Sequence, residues 1–394
     1  MPTPPDHEGV ADLDHAATTA LRPEAAAAME PFGSRRYGNP SGAHVLARDA
    51  VRAVDEARER IAAVLGCEPG EVVFTSGGTE ADNHAVSGGM PPRPGVPVCS
   101  AVEHHAVLDP VQALGGRLIG VDQFGRVDLG GLAAVLDELG TEVSIVSVML
   151  ANNETGVVND LAAVADVVAA HEPEVPGVPL HTDAVQAAAW MDLSVAAARA
   201  DLVSVSAHKL GGPKGVGALV ARRHAHLRPL LLGGGQERGR RSGTLNVAGI
   251  VGFAAALEAT AAEREEGRAR IAKLRDRLAD GLRATVPGLH QTVPTEGGEG
   301  APEVLPSILH LCIEGVDSET LLFLLESEGV AASAASSCSS GAQEASHVLA
   351  AMGVDPARAG GSLRLSLGWD STDADVDVAL RAVPAAVQRV REFG

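Results

Sequence analysis

Lysine is rare in this chain, and one of its lysines follows a strand-like run. Lys209, Lys214 and Lys273 are the only lysines among 31 basic residues. Lys209 ends the alternating run "DLVSVSAHK", at the predicted carboxyl end of a strand. A lysine amine in that position can condense with a carbonyl compound and act as a covalent catalyst. Lys214 remains open as an anion-binding or merely exposed residue, and Lys273 is expected to face solvent on a charged helix.

Two other polar groups follow predicted strands. Asp183 ends the run "VPLHTD" and could keep the nitrogen of a pyridine ring protonated, or it could simply cap the helix "AVQAAAW". Gly78 and Thr79 lie in "SGGTEADN", where backbone amides at a helix start favour a phosphate dianion. A plain capped turn is the alternative for that run.

A histidine pair and an arginine add further candidates. His104 and His105 are adjacent in "VEHHAV", and neighbouring residues on a helix point in different directions, which disfavours a shared metal ion. Stacking of one imidazole on an aromatic cofactor is the better functional interpretation, and we predict no metal site. Arg364 in "SLRLSLGWD" could hold a substrate carboxylate with two hydrogen bonds, or form a surface ion pair.

Cys338 differs from the other cysteines in its surroundings. It lies in the bland stretch "SAASSCSSG", whereas Cys67, Cys99 and Cys312 follow or sit within apolar runs typical of packing. The cysteines show no CxxC pairing and no zinc-like spacing, so each is expected to be a free thiol in a reducing compartment. Cys338 is therefore the candidate reactive thiol.

Composition restricts the class of protein. The formal net charge of −20 argues against direct nucleic-acid binding, because such proteins display clustered lysine and arginine. No apolar run approaches the roughly 18 residues of a membrane span. The N-terminus has neither the basic nor the apolar region of a secretory signal. We therefore expect a cytoplasmic protein that does not bind membranes.

The order of the predicted elements indicates an α/β fold. Short Val- and Ile-rich runs alternate with Ala-rich helical stretches over about residues 45–260, which predicts a mostly parallel sheet covered on both faces. A chain of 394 residues exceeds the size of a single growing core. We predict a disordered lead-in over residues 1–10, a large domain over 11–260 and a small domain over 261–394. The first residues of the large domain are expected to return to the small domain.

These separate signals combine into one resemblance. The chain resembles the cysteine desulfurases, the NifS/IscS-like pyridoxal-phosphate enzymes with the aspartate aminotransferase fold, over roughly residues 11–385. The motifs that carry it occur in order: "LDHAATT", "YGNPSGAH", "FTSGGTEADN", "EHHAVL", "ANNETG", "HTDAVQ", "SAHKLGGPKGVGAL", "GGGQERGRRSGTLN" and "SSCSSG" followed by "SLRLSLG". The resemblance implies a PLP-dependent fold type I, with a mainly parallel seven-stranded sheet in the large domain and a smaller α/β C-terminal domain.

The resemblance also implies roles for individual residues. Lys209 would hold pyridoxal 5′-phosphate covalently, and Cys338 would accept the sulfur. The ring of the cofactor would be held by His104, Asp183 and Gln186. Its phosphate would be held by Gly78, Thr79, Ser206 and His208, with Thr244 reaching in from the partner subunit of a homodimer. The substrate would be held by Asn153 and Arg364, with Asn39 assisting.

The implied activity is conversion of L-cysteine to L-alanine, with transfer of the sulfur as a persulfide on Cys338 to an acceptor protein. The alternative is a selenocysteine lyase or another PLP-dependent C–S lyase on the same fold. A catalytically idle scaffold and a transaminase fit less well, since the chain keeps Lys209 and Cys338 together. Iron–sulfur assembly, tRNA thiolation, DNA phosphorothioation and metabolite sulfuration all remain open as destinations of the sulfur.

Three positions depart from the usual motifs. Ala335 replaces a glycine shortly before the cysteine, which restricts the backbone and puts the mobility of that stretch in question. Gly42 replaces a serine or alanine after the "GNPS" turn. His15 replaces an asparagine in "DHAATT", a change expected to be tolerated.

Overall fold

A computed structural model describes residues 9–90, 95–171, 177–295, 300–334 and 346–393. The predicted lead-in over residues 1–8 and the stretch that carries Ala335 and Cys338 lie outside the described residues. Within the part of the chain described, no helix is long and apolar enough to cross a membrane.

A seven-stranded sheet forms the centre of the molecule. In spatial order it runs β2-β8-β7-β6-β5-β3-β4. The strands are β2 (Val72–Thr75), β3 (Val96–Ser100), β4 (Arg117–Ile119), β5 (Val143–Ser147), β6 (Leu180–Asp183), β7 (Leu202–Ser206) and β8 (Gly217–Ala221). Only β8 runs antiparallel to its neighbours. The prediction of a mainly parallel seven-stranded sheet is confirmed.

Helices cover the sheet on both faces, as the continuous apolar character of the strands requires. They are α1 (Pro23–Met29), α2 (Val45–Leu65), α3 (Gly78–Gly88), α4 (His105–Ala113), α5 (Leu129–Leu139), α6 (Leu161–Ala170) and α7 (Leu193–Ala196). Because each parallel strand returns through a helix, the carboxyl ends of the strands meet at one edge of the sheet. Lys209 lies at that edge in a short 3₁₀ turn, Ala207–Lys209, directly after β7.

A long helix, α8 (Val247–Thr285), leads into the C-terminal part. There β9 (Leu289–Gln291), β10 (Ile308–Ile313) and β12 (Ser362–Ser366) form an antiparallel sheet in the order β12-β10-β9. Its helices are α9 (Ser318–Ser327), α10 (His347–Ala351), α11 (Pro356–Ala359) and α12 (Asp373–Phe393). The domain boundary predicted near residue 260 falls inside α8 and remains a prediction.

The N-terminal arm crosses to the C-terminal part of the chain. Its strand β1 (Ala11–Asp12) pairs in parallel with β11 (Val330–Ala331). Asp14 then forms a bridge with Ser366 at the end of β12. Beyond this bridge the arm passes in front of the central sheet, where the carbonyl groups of Ala16 and Ala17 meet the side chain of Lys209.

Candidate active site

One cavity at the carboxyl edge of the central sheet collects most of the candidate residues. Its volume is about 320 Å³. Its walls come from the N-terminal arm, α3, the strand ends of β6 and β7, and β12. The predicted site residues that line it are Gly78, Thr79, His104, Asn153, Asp183, Gln186, Ser206, His208, Lys209 and Arg364. Residues far apart in the sequence therefore share one chemical environment.

Lys209 provides the nucleophilic amine of the cavity. Its Nζ donates hydrogen bonds to the carbonyl oxygens of Ala16 and Ala17. Burial, together with the positive charge of Arg364, lowers the pKa of Lys209 to about 8. A substantial fraction of the amine is therefore uncharged close to neutral pH, which is the form that attacks a carbonyl carbon.

Asp183 is a buried acid whose charge acts on the amine of Lys209. Burial raises the pKa of its carboxyl group, while His104 and Lys209 oppose the rise. One carboxylate oxygen accepts a hydrogen bond from the backbone N–H of Val185, at 2.8 Å. The second oxygen remains for a cationic N–H such as that of a protonated pyridine.

His104 faces the same cavity from the start of α4. Its Nδ1 accepts a hydrogen bond from the N–H of Ala106, at 3.0 Å, and so caps the helix. Desolvation lowers the pKa of His104, which favours the uncharged ring. Because Nδ1 acts as an acceptor, the proton of the neutral imidazole is on Nε2.

A ready anion site lies at the N-terminus of α3. The capping position, Gly77, offers no side-chain acceptor, so the first amides of the helix stay available. Ser206 adds a fully buried hydroxyl group without a partner among the described residues. A Cβ atom at Gly78 would come within 2.8 Å of the Val185 side chain, so only glycine leaves this approach open.

Arg364 is a buried guanidinium at the opposite wall. Its Nη1 donates to the carbonyl oxygen of Asn153 at 3.0 Å, and its Nη2 donates to the carboxylate of Asp14 at 2.7 Å. Its Nε is buried and has no partner in the described part of the chain. One edge of the guanidinium is thus held in place while Nε–H stays available for an incoming carboxylate.

Comparison with known proteins identifies the family. The family model "Aminotransferase class-V" matches residues 12–379. The chain belongs to this family. It is 43% identical to an "IscS-like cysteine desulfurase" of Mycobacterium tuberculosis, with 97% of both chains covered. It is 40% identical to a "Cysteine desulfurase" of Gluconacetobacter diazotrophicus, with 97% of this chain and 94% of that protein covered.

Solved structures of class-V aminotransferases share the fold. A "NIFS-LIKE PROTEIN" superposes with a TM-score of 0.86 at 35% identity, covering 96% of this chain and all of that one. DndA from Streptomyces lividans gives a TM-score of 0.71 at 35% identity, covering 89% and 97%. The predicted NifS-like fold is confirmed, and the chain is a pyridoxal-phosphate-dependent enzyme of the class-V aminotransferase family.

The residues present fit that cofactor. The open N-terminus of α3 and the unpartnered hydroxyl of Ser206 suit its phosphate group. Asp183 suits its ring nitrogen and Lys209 its aldehyde. Gln186 is held beside the cavity by a hydrogen bond from its Nε2 to the carbonyl oxygen of Ala16, at 2.8 Å.

Two predicted site residues lie elsewhere, and a third is not described. Asn39 and Thr244 are exposed and do not line this cavity, and the Asn39 side chain accepts a hydrogen bond from the N–H of Ser41 instead. Cys338 lies outside the described residues. Among the remaining thiols, burial raises the pKa of Cys67 to about 11 and raises those of Cys99 and Cys312 as well, so none of these is a ready thiolate.

Sequence reasoning missed several buried or half-buried acids around the cavity. Asp14 holds Arg364, Asp82 lines the cavity, and Glu103 accepts a hydrogen bond from the N–H of Met149 at 2.6 Å. Asp82 stands inside the quoted motif "SGGTEADN" and Asp14 inside "LDHAATT", so the signal was present. Acids in polar motifs are usually solvated, which is why neither residue stood out.

Proposed function

We propose that this chain is a cysteine desulfurase, which converts L-cysteine to L-alanine and takes the sulfur onto Cys338. The observation that carries the proposal is the meeting of Lys209, Asp183 and Arg364 around one cavity. A reactive amine next to a carboxylate-binding guanidinium suits an α-amino acid as substrate. The names of the relatives, cysteine desulfurases of two bacteria, support the same reaction.

Different residues of the cavity are assigned to different parts of the cofactor. We assign the phosphate to Gly78, Thr79, Ser206 and His208, and the covalent link to Lys209. The ring is assigned to three residues with different contacts: His104 at its face, Asp183 at its nitrogen and Gln186 at its phenolic oxygen. When bound, pyridoxal phosphate supplies an electron sink that weakens bonds to the Cα atom of the substrate.

Arg364 and Asn153 are assigned to the substrate, with Asn39 assisting. The free Nε–H of Arg364 donates to the substrate carboxylate, and its contact with the Asn153 carbonyl fixes the plane of the guanidinium. Lys209 takes the proton from the substrate Cα, because its lowered pKa leaves part of the amine deprotonated near neutral pH while the amine stays basic.

Cys338 is assigned as the sulfur acceptor. Its thiolate attacks the substrate sulfur, an S–S bond forms, and the Cβ–S bond of the substrate breaks, after which the carbon takes up a proton to give alanine. The described residues on either side of residues 335–345, Ala334 and Ser346, contact segments that carry lining residues of the cavity. Ser362 Oγ donates to the carbonyl of Ala334 at 2.8 Å, and Ser346 Oγ donates to the Glu154 carboxylate at 2.6 Å.

We also propose a cytoplasmic homodimer that passes sulfur to an acceptor protein. Tyr37, Val45 and Leu232 are large apolar side chains left 71%, 67% and 84% exposed, on segments near Asn39 and Thr244 in the sequence. A second copy that covers these side chains would bring Thr244 to the cavity of its partner. The destination of the sulfur stays open among the classes named above.

The reaction is tested by measuring alanine formed from L-cysteine and from L-selenocysteine by the holoenzyme. We expect catalytic alanine formation from L-cysteine, with a transient mass increase of one sulfur atom on the peptide that contains Cys338. Turnover of selenocysteine alone, with no sulfur on that peptide, would instead support the selenocysteine lyase.

The rate of cofactor capture should report the pKa of Lys209. Since the uncharged amine attacks the aldehyde, the rate at which apoenzyme gains the cofactor absorbance should rise with pH through about 8. In Arg364→Leu the nearby positive charge is gone, so the pKa of Lys209 rises and the midpoint should move up by about one pH unit. Stopped-flow absorbance measures both profiles.

Arg199→Leu is the matched control for this titration. Arg199 is a half-exposed arginine that bonds Asp166 and does not line the cavity. Its midpoint should equal that of the unmodified chain. A midpoint in Arg364→Leu that stays in place or moves down would contradict the role of Arg364 in setting the charge of Lys209.

A further inference from the structure

Asp82 is a buried carboxyl group that the proposed reaction does not use. It lies on α3, one turn beyond Gly78, and lines the cavity with only 1% of its surface exposed. Its Oδ1 has no hydrogen-bond partner among the described residues. Burying an ionised carboxylate without a cation is strongly unfavourable, so this arrangement needs a physical reason.

The charged groups that act most strongly on Asp82 are acids rather than cations. From β6 it faces Asp183 and His181, whose Nε2 is 3.6 Å from Asp82 Oδ1. From the segment before α4 it faces Glu103, which is fully buried and has one unpartnered carboxylate oxygen. The other strands that α3 packs against, β2, β7 and β8, contain no titratable residue. Helix α4, which also packs against α3, contributes only His105 and Asp109, and these bond each other on its exposed side.

The three carboxyl groups differ in access to positive charge. Asp183 is the member of the set in which His104 and Lys209 oppose the rise of the pKa caused by burial. Burial and the proximity of Asp183 raise the pKa values of both Asp82 and Glu103. Negative charge in this set is therefore most stable on Asp183, and protons are most stable on the other two.

A chain of hydrogen bonds can accommodate a protonated Asp82. The Ser204 hydroxyl group lies next to the Asp82 carboxyl group. Its Oγ is 3.0 Å from His181 Nε2, and His181 Nδ1 is 2.8 Å from Ser147 Oγ. Burial lowers the pKa of His181 to about 3, so this imidazole is uncharged and has one donor and one acceptor nitrogen. Asp82 can thus donate to Ser204, Ser204 to His181, and His181 to Ser147.

We propose that Asp82 is a positioning residue for Asp183. As an uncharged acid that donates a hydrogen bond to Ser204, and through it connects to His181 and Ser147, it keeps the negative charge of the buried cluster on Asp183. The inference rests on the proposed function only in assigning Asp183 to the ring nitrogen of the cofactor. When Asp82 loses its proton at alkaline pH, the second negative charge makes the ring nitrogen hold its proton more tightly.

Infrared difference spectra of the holoenzyme without substrate test the charge of Asp82 directly. In the spectrum of the unmodified chain minus Asp82→Asn at neutral pH, we expect the C=O stretch of a protonated carboxylic acid. Loss of carboxylate bands instead would show that Asp82 is ionised and would overturn the proposal. No turnover is involved, so a failure of the proposed reaction leaves this result intact.

A pH titration of the cofactor absorbance tests the effect on the ring nitrogen. Asparagine cannot supply the second negative charge. The absorbance change that accompanies loss of the proton from the ring nitrogen should therefore occur about one pH unit lower in Asp82→Asn than in the unmodified chain. A purely structural role for Asp82 would not move this midpoint in that direction. An unchanged or higher midpoint would contradict the proposal.

Asp109→Asn serves as the matched control. Asp109 lies on the neighbouring helix α4, its side chain is 66% exposed, and it bonds His105 outside the cavity. Its replacement should remove only carboxylate bands and leave the titration midpoint in place. Should Asp82→Asn fail to fold, Ser204→Ala offers a second test, because it keeps the Asp82 carboxyl group. The C=O stretch of protonated Asp82 should shift in Ser204→Ala as the proposed hydrogen bond is lost. A spectrum without such a shift would contradict the proposed hydrogen-bond chain.

Discussion

Replacing Lys209 with alanine is expected to abolish covalent capture of pyridoxal phosphate and to slow alanine formation by about three orders of magnitude or more. The side chain supplies the amine that binds the aldehyde and the base that removes the Cα proton. Alanine offers neither group, and no other lysine lines the cavity. Absorbance spectra of the purified variant and an alanine assay measure the two losses.

Lys214→Ala is the matched control for this substitution. Lys214 is exposed, lies five residues further along the chain and does not line the cavity. Its replacement should leave the cofactor absorbance unchanged. Reduction of the covalent link with borohydride, followed by peptide mass analysis, should locate the cofactor on Lys209. A retained link in Lys209→Ala that maps to Lys214 would refute the assignment.

The sequence predicted the central sheet and the strand-end residues because both follow from local patterns. Alternation of short β-branched runs with helical stretches indicates parallel strands, and the carboxyl ends of such strands meet. Asp183 is the last residue of β6, and Lys209 is the last residue of the short turn that follows β7. The placement of both at one cavity was therefore predictable from their positions alone.

The contacts made across the chain could not be read in the same way. Arg364 and Asp14 bond each other across 350 residues of sequence. That pairing depends on the N-terminal arm crossing to β11 and β12, and a two-residue strand such as β1 has almost no sequence signal of its own. The orientation of the guanidinium toward the cavity is a consequence of this crossing.

Asp82 illustrates a different limit. A carboxylate in the first turns of a helix is common and usually solvated, since it stabilises the helix dipole. Its burial follows from the packing of α3 against β6 and β7, which carry His181 and Ser204 toward it. Sequence alone does not show which face of α3 meets the sheet in a helix with so many small residues.

Thr244 and Asn39 mark the limit that a single chain sets. Both are exposed on this chain, and their predicted roles require a second subunit or a substrate to complete the site. That Thr244 serves the cavity of the partner subunit stays a prediction. Chemical crosslinking through a cysteine placed at position 244 would report how close this position lies to the cavity of the partner subunit.

Replacing Cys338 with serine is expected to separate binding from sulfur transfer. The variant should keep the cofactor absorbance, because the residues assigned to the cofactor lie in the described cavity and do not include Cys338. L-Cysteine should still change that absorbance. Alanine and sulfide should not be formed catalytically, because a serine hydroxyl remains protonated at neutral pH and cannot attack the substrate sulfur as a thiolate does.

Cys67→Ser is the matched control, since it removes a half-buried thiol whose raised pKa keeps it protonated. It should retain full turnover and still gain the mass of one sulfur atom on the peptide that contains Cys338. Full turnover by Cys338→Ser would exclude Cys338 as the acceptor. Turnover of L-selenocysteine that survives in Cys338→Ser, without turnover of L-cysteine, would favour the lyase, because a lyase releases its product without an acceptor thiol on the enzyme.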